Sequence, residues 1–200
     1  MKHRILLVVL ILAVSFNAPA QTKNTYKFKG THELSLGLGM YPIDATDITY
    51  IMILPITGIY LSERTTSPTI NLNYYYHTSN SISVGAEMTF GAIQEKFKAI
   101  YSENYSSTSY DTYFNFTPSV RLKWFRRKNL WMYSSLGIGV KIAHSVLNNS
   151  EKTTDSYAAL NCTIAGIQVG RKNWFGFAEI GTSSSGCIRI GAGYRFNHIK

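Results

Sequence analysis

Three residues near the middle of the chain have types and spacing that could support ester hydrolysis. His77 and Ser79 are two residues apart, so both side chains share one face if the segment is a strand. A serine hydroxyl beside a histidine base, with a carboxylate that orients the ring, forms a hydrolytic nucleophile. Glu87 is the nearest carboxylate along the chain. The alternative is a turn without catalysis, because the segment 77–80 is rich in turn-forming residues.

The other residues that could do chemistry are scattered. His144 and Ser145, at the start of a predicted loop, are a weaker version of the same pair. The histidines show no i, i+4 pair and no neighbouring cysteine cluster, so we expect no metal site and no cofactor. Cys162 and Cys187 fall in predicted strands that are not neighbours, which favours two thiols over a disulfide. The sequence therefore predicts no catalytic residue.

The first twenty residues predict a cleaved signal peptide. Lys2 and Arg4 precede an apolar run, residues 5–14, and a small-x-small cleavage site, residues 18–20. A helix of that run would rise about 15 Å, half of a hydrocarbon core of about 30 Å, so a membrane anchor is disfavoured. We expect residues 1–20 to be removed and residues 21–200 to form one domain.

The composition excludes several classes of protein. Charged residues make up 16% of the chain, below the roughly 25% of ordinary soluble domains. Hydrophobic residues make up 45%, with 14 Tyr and 15 Gly, which excludes a disordered chain, a coiled coil and a disulfide scaffold. The formal charge is +9, yet no charge-rich helix or binding motif indicates a nucleic-acid partner.

Apolar residues alternate with polar or small residues along most of the chain, which predicts strands with two different faces. The pattern is clear over residues 34–40, 70–76, 82–90, 114–124, 136–142 and 188–196. Residues 157–169 and 174–181 are strand-like, but the sequence does not fix which of their side chains face inward. Eight strands close to the 9–11 residues that cross a membrane predict an antiparallel transmembrane β-barrel.

The connections between these strands alternate in length. Long connections are predicted at residues 41–68, 92–110 and 144–155, and short ones at 77–80, 125–129 and 170–173. A fourth connection on the long side, residues 182–186, is short. Long loops at one end and short turns at the other are typical of outer-membrane barrels. The polar face also carries most of the glycines, which suits a narrow interior and predicts that the apolar face points outward. A soluble, lipocalin-like barrel with its apolar face inward is the rival fold.

The last strand carries a family motif. Arg189, Gly191, Tyr194 and Phe196 are spaced as in the C-terminal assembly signal of outer-membrane barrels, although four residues follow Phe196. Together with the signal peptide and the eight strands, the chain resembles the small OmpA/OmpX-type barrels. This resemblance implies an exported bacterial outer-membrane protein whose partners are outer-membrane lipids and the barrel-assembly machinery.

A second resemblance concerns His77 and Ser79. Their His-x-Ser pattern is similar to that of a family of outer-membrane lipid A deacylases, which use such a pair with a glutamate. Deacylation belongs at the outer leaflet, whereas the loop lengths place His77 in a periplasmic turn. No glutamate follows at the matching position.

Charged residues on the inward face are expected to pair. A turn centred near residue 184 places Glu179 opposite Arg189, and a turn near residue 79 places Asn71 opposite Glu87. Closure of the last strand on the first brings Arg195 near Glu33. Arg121, Lys123 and Lys141 are also predicted to point inward.

The sequence thus predicts a non-enzymatic outer-membrane barrel with a structural or surface-interaction role. Its extracellular loops, 41–68 and 92–110, would meet an extracellular ligand or surface partner. The alternatives are a narrow transport barrel for ions or small apolar molecules and a lipid A-modifying hydrolase.

Overall fold

The computed structural model describes residues 27–42, 59–99, 102–127, 129–147, 151–171 and 173–197. The predicted signal peptide, residues 1–20, lies outside these residues, and so does the centre of the predicted loop 41–68. Within the described residues, no helix is long and apolar enough to cross a membrane.

The described residues form antiparallel strands. These are β1 (Thr31–Met40), β2 (Ile59–Thr66), β3 (Thr69–Tyr76), β4 (Ile82–Ala99), β5 (Ser102–Arg127), β6 (Leu130–Leu147), β7 (Glu151–Gly170), β8 (Trp174–Ser183) and β9 (Ile188–Asn197). Each strand from β3 to β9 pairs with the next, and β1 pairs with both β3 and β9, which closes the sheet.

Strands β2 and β3 are two parts of one barrel strand, because both pair with β4. Between them, Pro68 has no N–H to donate to the ladder. The hydroxyl of Ser67 takes over the pairing and accepts a hydrogen bond of 3.0 Å from the amide of Ala92. The barrel therefore has eight strands in up-and-down order, as the sequence predicts.

The apolar side chains point outward and the polar ones inward. Along β3, Ile70 and Leu72 are 53% and 42% exposed, whereas Asn71 and Asn73 are each 1% exposed. The same alternation runs along β1 and β8. This confirms the predicted orientation of the faces and contradicts the lipocalin-like alternative, whose interior would be apolar.

A β-bulge explains why the phase of residues 157–169 could not be predicted. Ile164 is skipped in the ladders on both sides of β7. The buried residues are Ala159, Asn161 and Thr163 before the bulge, and Gly166 and Gln168 after it. One extra residue thus moves the inward face from odd to even positions. On β8 the phase was hidden because Phe175 and Phe177 are apolar but point inward.

The predicted loops 92–110 and 144–155 are mostly strand, which corrects the sequence analysis. The β4–β5 ladder continues to Lys98 and Ser106, and the β6–β7 ladder continues to Leu147 and Glu151. The hydrophobic alternation stops where these extensions begin. The backbone pairing continues through them, and threonine and tyrosine favour strands. The strand β2 likewise lies within the predicted loop 41–68.

Among the described residues, these extensions beyond the rest of the barrel lie on one side of it. On the other side, β1 ends at Met40, β8 ends at Ser183 and β9 begins at Ile188. We call the end of the barrel at these three residues the rim. We call the extensions together the raised wall. It consists of residues 59–66, 92–99, 102–112, 144–147 and 151–160. We call this end of the barrel the hairpin end, and the end with the short connections 77–81, 128–129 and 171–173 the turn end.

Glycines on the inward face make room for aromatic rings from neighbouring strands. Tyr133 lies over Gly166, its partner across the β6–β7 ladder. A Cβ atom at Gly166 would lie 2.5 Å from the Tyr133 ring. Phe177 lies in the same way over Gly37 and Gly191. These glycines of the polar face thus make room for rings in a narrow interior, whereas others, such as Gly39 and Gly139, lie against neighbouring backbone.

Replacing Gly166 by valine should therefore destabilise the barrel. Tyr133 is buried and its hydroxyl donates to Glu179, so the ring cannot move aside. We expect Gly166→Val to lower the free energy of unfolding by about 1–3 kcal/mol. The matched control is Gly176→Val, whose Cβ would meet only one atom, the Gly191 oxygen at 3.7 Å. Urea unfolding in detergent measures both, and equal stability of the two variants would contradict this packing.

Candidate functional site

The centre of the barrel interior holds a network of buried charges. Arg189 Nη2 lies 2.8 Å from Glu179 Oε2, and its Nη1 donates to Glu87 Oε2 at 2.8 Å. Arg195 Nε donates to Glu33 Oε2 at 2.9 Å. Two of the three residue pairs that the sequence analysis brought together, Glu179 with Arg189 and Glu33 with Arg195, are also register partners.

The predicted pairing of Asn71 with Glu87 is wrong by two residues. Asn71 is opposite Thr89, and Glu87 is opposite Asn73. The reason is the turn, which centres on residue 80 and not on residue 79. The Ser79 hydroxyl caps this turn by accepting hydrogen bonds from the amides of Ser81 and Ile82.

Arg121 joins the two halves of the network. Its Nη1 donates to Glu33 Oε1 at 2.6 Å, and its Nη2 lies 3.5 Å from Glu179 Oε1. The guanidinium carbon lies 3.8 Å and 4.2 Å from the ring centroids of Tyr75 and Tyr133. The alternation predicted that Arg121 points inward, but its carboxylate partners come from β1 and β8, which are not neighbours of β5, and carry no local sequence signal.

A short turn seals the barrel interior at the hairpin end. Residues 183–186, from the last residue of β8 into the connection to β9, are all buried. The carbonyl of Ser185 accepts from Thr69 Oγ1 at 2.6 Å, and the carbonyl of Ser184 accepts from Tyr113 Oη at 2.8 Å. Asn161 Oδ1 accepts from Ser183 Oγ at 2.6 Å. The turn thus bonds to the adjacent strand β7 and reaches across the interior to β3 and β5.

Aromatic rings and cations fill the turn end. Phe28 is 3% exposed and meets Trp131 edge-on, with the ring centroids 5.3 Å apart. The guanidinium of Arg195 lies 4.7 Å from the Trp131 ring and 4.0 Å from the Phe175 ring. Lys123 Nζ lies 4.2 Å from the Phe28 ring. These cation–π contacts leave the interior filled at this end as well.

The structure does not bring His77 and Ser79 together. His77 is fully buried and contacts Ser83 instead, with 2.5 Å between His77 Nδ1 and Ser83 Oγ. His77 Nε2 lies 3.3 Å from Glu33 Oε2. A serine, a histidine and a glutamate are therefore in line, which the sequence analysis missed because Ser83 lies beyond the turn. All three are 0% exposed, so no substrate can reach them.

The residues of the assembly motif divide between the two faces of β9. Arg189 and Gly191 point inward, whereas Tyr194 and Phe196 are on the outer face. Tyr194 meets Trp174 with ring centroids 4.9 Å apart, and Phe196 stacks on His32 at 5.4 Å. These rings form an exposed aromatic band at the turn end, across the junction of β9 with β8 and β1.

The remaining candidates do not form a site. Cys162 lies on β7 and Cys187 just before β9, and neither forms a disulfide. Across the described ranges, no three metal-ligating side chains come together. Lys141, predicted to point inward, is buried with its Nζ 4.5 Å from the Tyr113 ring.

Removing one arginine from the charge network should be costly. Arg189→Met leaves Glu87 and Glu179 without their shared partner, and breaking a buried pair in this way costs about 3–5 kcal/mol. The control is Arg171→Met, because Arg171 is exposed at the turn end, where we expect a change of less than about 0.5 kcal/mol. Urea unfolding in detergent measures both, and similar midpoints would contradict the role of the network.

Ser83 should not react as a hydrolase nucleophile. We expect a fluorophosphonate probe to leave Ser83 unlabelled in the folded protein, as detected by peptide mass spectrometry, because the residue is fully buried. A soluble serine hydrolase in the same tube is the positive control. Labelling of Ser83 in folded wild-type protein would show that the site opens to solvent.

Comparison with known proteins agrees with this geometry. No family model matches the sequence, and no curated protein matches it. The N-terminal β-barrel domain of Pseudomonas aeruginosa OprF is similar over 86% of this chain and 100% of that domain, with 10% identity and a TM-score of 0.52. Yersinia pestis Ail, the attachment invasion locus protein, is 18% identical over 84% of this chain and 99% of its own, with a TM-score of 0.46. The chain has the fold of the small eight-stranded outer-membrane β-barrels.

Proposed function

We propose that this protein is a non-enzymatic, non-conducting barrel of a bacterial outer membrane that presents its raised wall to partners outside the cell. The observation that carries the proposal is the one-sided extension of the barrel. The ladders of β4–β5 and β6–β7 continue beyond the rim, while β1, β8 and β9 stop there.

The outer surface supports the membrane location. On β4, the outward residues from Ile82 to Phe90 cover about 27 Å of strand, which a tilt of roughly 40° reduces to about 21 Å. This is close to the apolar band of about 25 Å in outer-membrane barrels. The turn end carries cationic side chains that suit lipid phosphates on the periplasmic side. Among the described residues these are Lys27, Lys29, Arg126, Arg127 and Arg171.

The raised wall has two edges with different properties. In β2 the ladder with β4 shifts between Leu61 and Glu63, and Pro68 follows the strand. Bulges and prolines protect an edge against pairing with another strand. The edge formed by residues 152–160 of β7 has neither, and among the described residues only β6 pairs with it. This supports β7 as the edge on which an extended segment of a partner adds a strand.

The filled interior disfavours both alternative functions. A transport barrel needs a path, but the charge network, the turn 183–186 and the ring of Phe28 occupy the interior from end to end. A hydrolase needs an accessible nucleophile, and Ser83 is not accessible. The filled interior therefore favours a function on the outside of the barrel.

The proposal is tested by changing the β7 edge on cells that display the protein. Replacing Thr154 by lysine adds a charge to the exposed edge, at a position in register with His144 of the wall, and this opposes strand addition. We expect these cells to lose adhesion to a panel of surfaces coated with extracellular proteins to which wild-type cells adhere. Adhesion is measured by counting the retained cells after washing.

The control is Gln94→Lys, which adds a charge to β4, an inner strand of the same wall. It should leave adhesion unchanged. Fractionation and the heat-dependent mobility shift of folded barrels verify that each variant reaches the outer membrane. Wild-type protein that stays in the periplasm, or that conducts ions in planar bilayers, would contradict the proposed function. Unchanged adhesion of the edge variant would contradict the role of β7.

A further inference from the structure

A row of bulky apolar side chains crosses the outer face of the barrel just below the raised wall. Ile70, Phe90, Phe114 and Ile142 are neighbours in register on β3, β4, β5 and β6. The rings of Phe90 and Phe114 lie 4.9 Å apart, and Phe90 is 57% exposed. This is the last fully apolar row before the hairpin end.

The next outward row on the same strands is small and polar. It contains Ala92, Thr112 and His144, which are also neighbours in register. Ser67 and Pro68 continue it at the break between β2 and β3. Because small side chains follow bulky ones, a groove forms between the two rows, lined by residues of both.

The break in the barrel strand opens one side of this groove. The ladder of β3 with β1 ends at Thr69 and Gly39, so no strand flanks β2 on that side among the described residues. On the other side the groove reaches His144, whose Nδ1 lies 3.0 Å from Thr154 Oγ1. Hydroxyl and imidazole groups thus form the upper edge of the groove, and aromatic carbon forms its floor.

We propose that this groove holds the upper part of an acyl chain of a lipid A-type glycolipid in the outer leaflet. The apolar floor is continuous with the membrane-facing surface, since Leu72, Met88, Phe116 and Val140 form the row directly below it. A chain lying along the barrel therefore enters the groove from hydrocarbon. The inference rests on the membrane orientation given under Proposed function.

The polar upper edge of the groove determines which lipid fits. His144 offers a ring donor where the apolar surface ends, whereas the hydroxyls of Ser67 and Thr112 already donate to the carbonyls of Ala92 and His144. A phosphorylated disaccharide presents several acceptor oxygens at that level, whereas an ethanolamine headgroup presents fewer. Lys96 and Lys152 lie further along the same outer face of the raised wall, where they suit the phosphates.

The experiment uses the full mature protein in bilayers that contain lipid A with a photoreactive group near the top of one acyl chain. After illumination, mass spectrometry locates the cross-links. We expect them to concentrate on the segments around Phe90 and Phe114. Filling the groove by Ala92→Phe should reduce this labelling about tenfold, as expected when about two methylene groups lose contact with the protein.

Matched variants separate the groove from the general lipid surface. Ala86 is on the same outward face of β4, six residues before Ala92, so Ala86→Phe should leave the labelling unchanged. Thr112→Phe fills the groove from β5 and should act like Ala92→Phe, even if one of the two variants fails to fold. The heat-dependent mobility shift verifies folding.

Three results would overturn the proposal. Labelling spread evenly over the outer face, or labelling unaffected by both groove variants, would show that no chain is held there. Equal labelling by phosphatidylethanolamine with the same photoreactive group would contradict the choice of lipid A. Wild-type protein that does not enter the bilayers would contradict the proposed function as well, whereas inserted protein without localised labelling overturns this site alone.

Discussion

The neutralisation of charge inside a narrow barrel is the constraint on which the rest of the structure depends. Three glutamates and three arginines are buried at its centre, and an unpaired charge there would be strongly unfavourable. Every barrel strand contributes to the network. The contributors in strand order are Glu33, Tyr75, Glu87, Arg121, Tyr133, Gln168, Glu179 and, on β9, both Arg189 and Arg195. Correct charge pairing therefore requires all eight strands in the correct register.

The same constraint explains the glycines and aromatic residues of the interior. A ring such as Tyr133 reaches the centre, where its hydroxyl donates to Glu179, only because Gly166 leaves space beside it. Tyr75 reaches Glu87 in the same way, with 2.5 Å between the oxygen atoms, beside Gly85. Arg121 then lies between the two rings. Polar, aromatic and glycine positions of the inward face are thus parts of one packing arrangement.

The sequence predicts those features that depend on short-range patterns. Alternation identifies the strands and their outward faces, and a tight turn is enough to place Glu179 opposite Arg189. The predicted register is wrong where the predicted centre of a turn is off by one residue, as for the pairing of Asn71. The phase of β7 is hidden by a single extra residue, Ile164, because a bulge has no hydrophobic signature. The partners of Arg121 lie 58 and 88 residues away, so only the closed barrel reveals them.

The sealed interior and the raised wall have a common cause. The turn between β8 and β9 can bond to Thr69, Tyr113 and Asn161 only if both strands stop at the rim, so that the turn bends inward. Cys187, at the end of this turn, donates its amide to the carbonyl of Met40 at 2.9 Å, where β1 also ends. The turn 183–186, which seals the interior, thus fixes where β1, β8 and β9 reach their limit at this end of the barrel. The strands that extend beyond these end points are those that do not form the seal, so among the described residues the wall rises on one side.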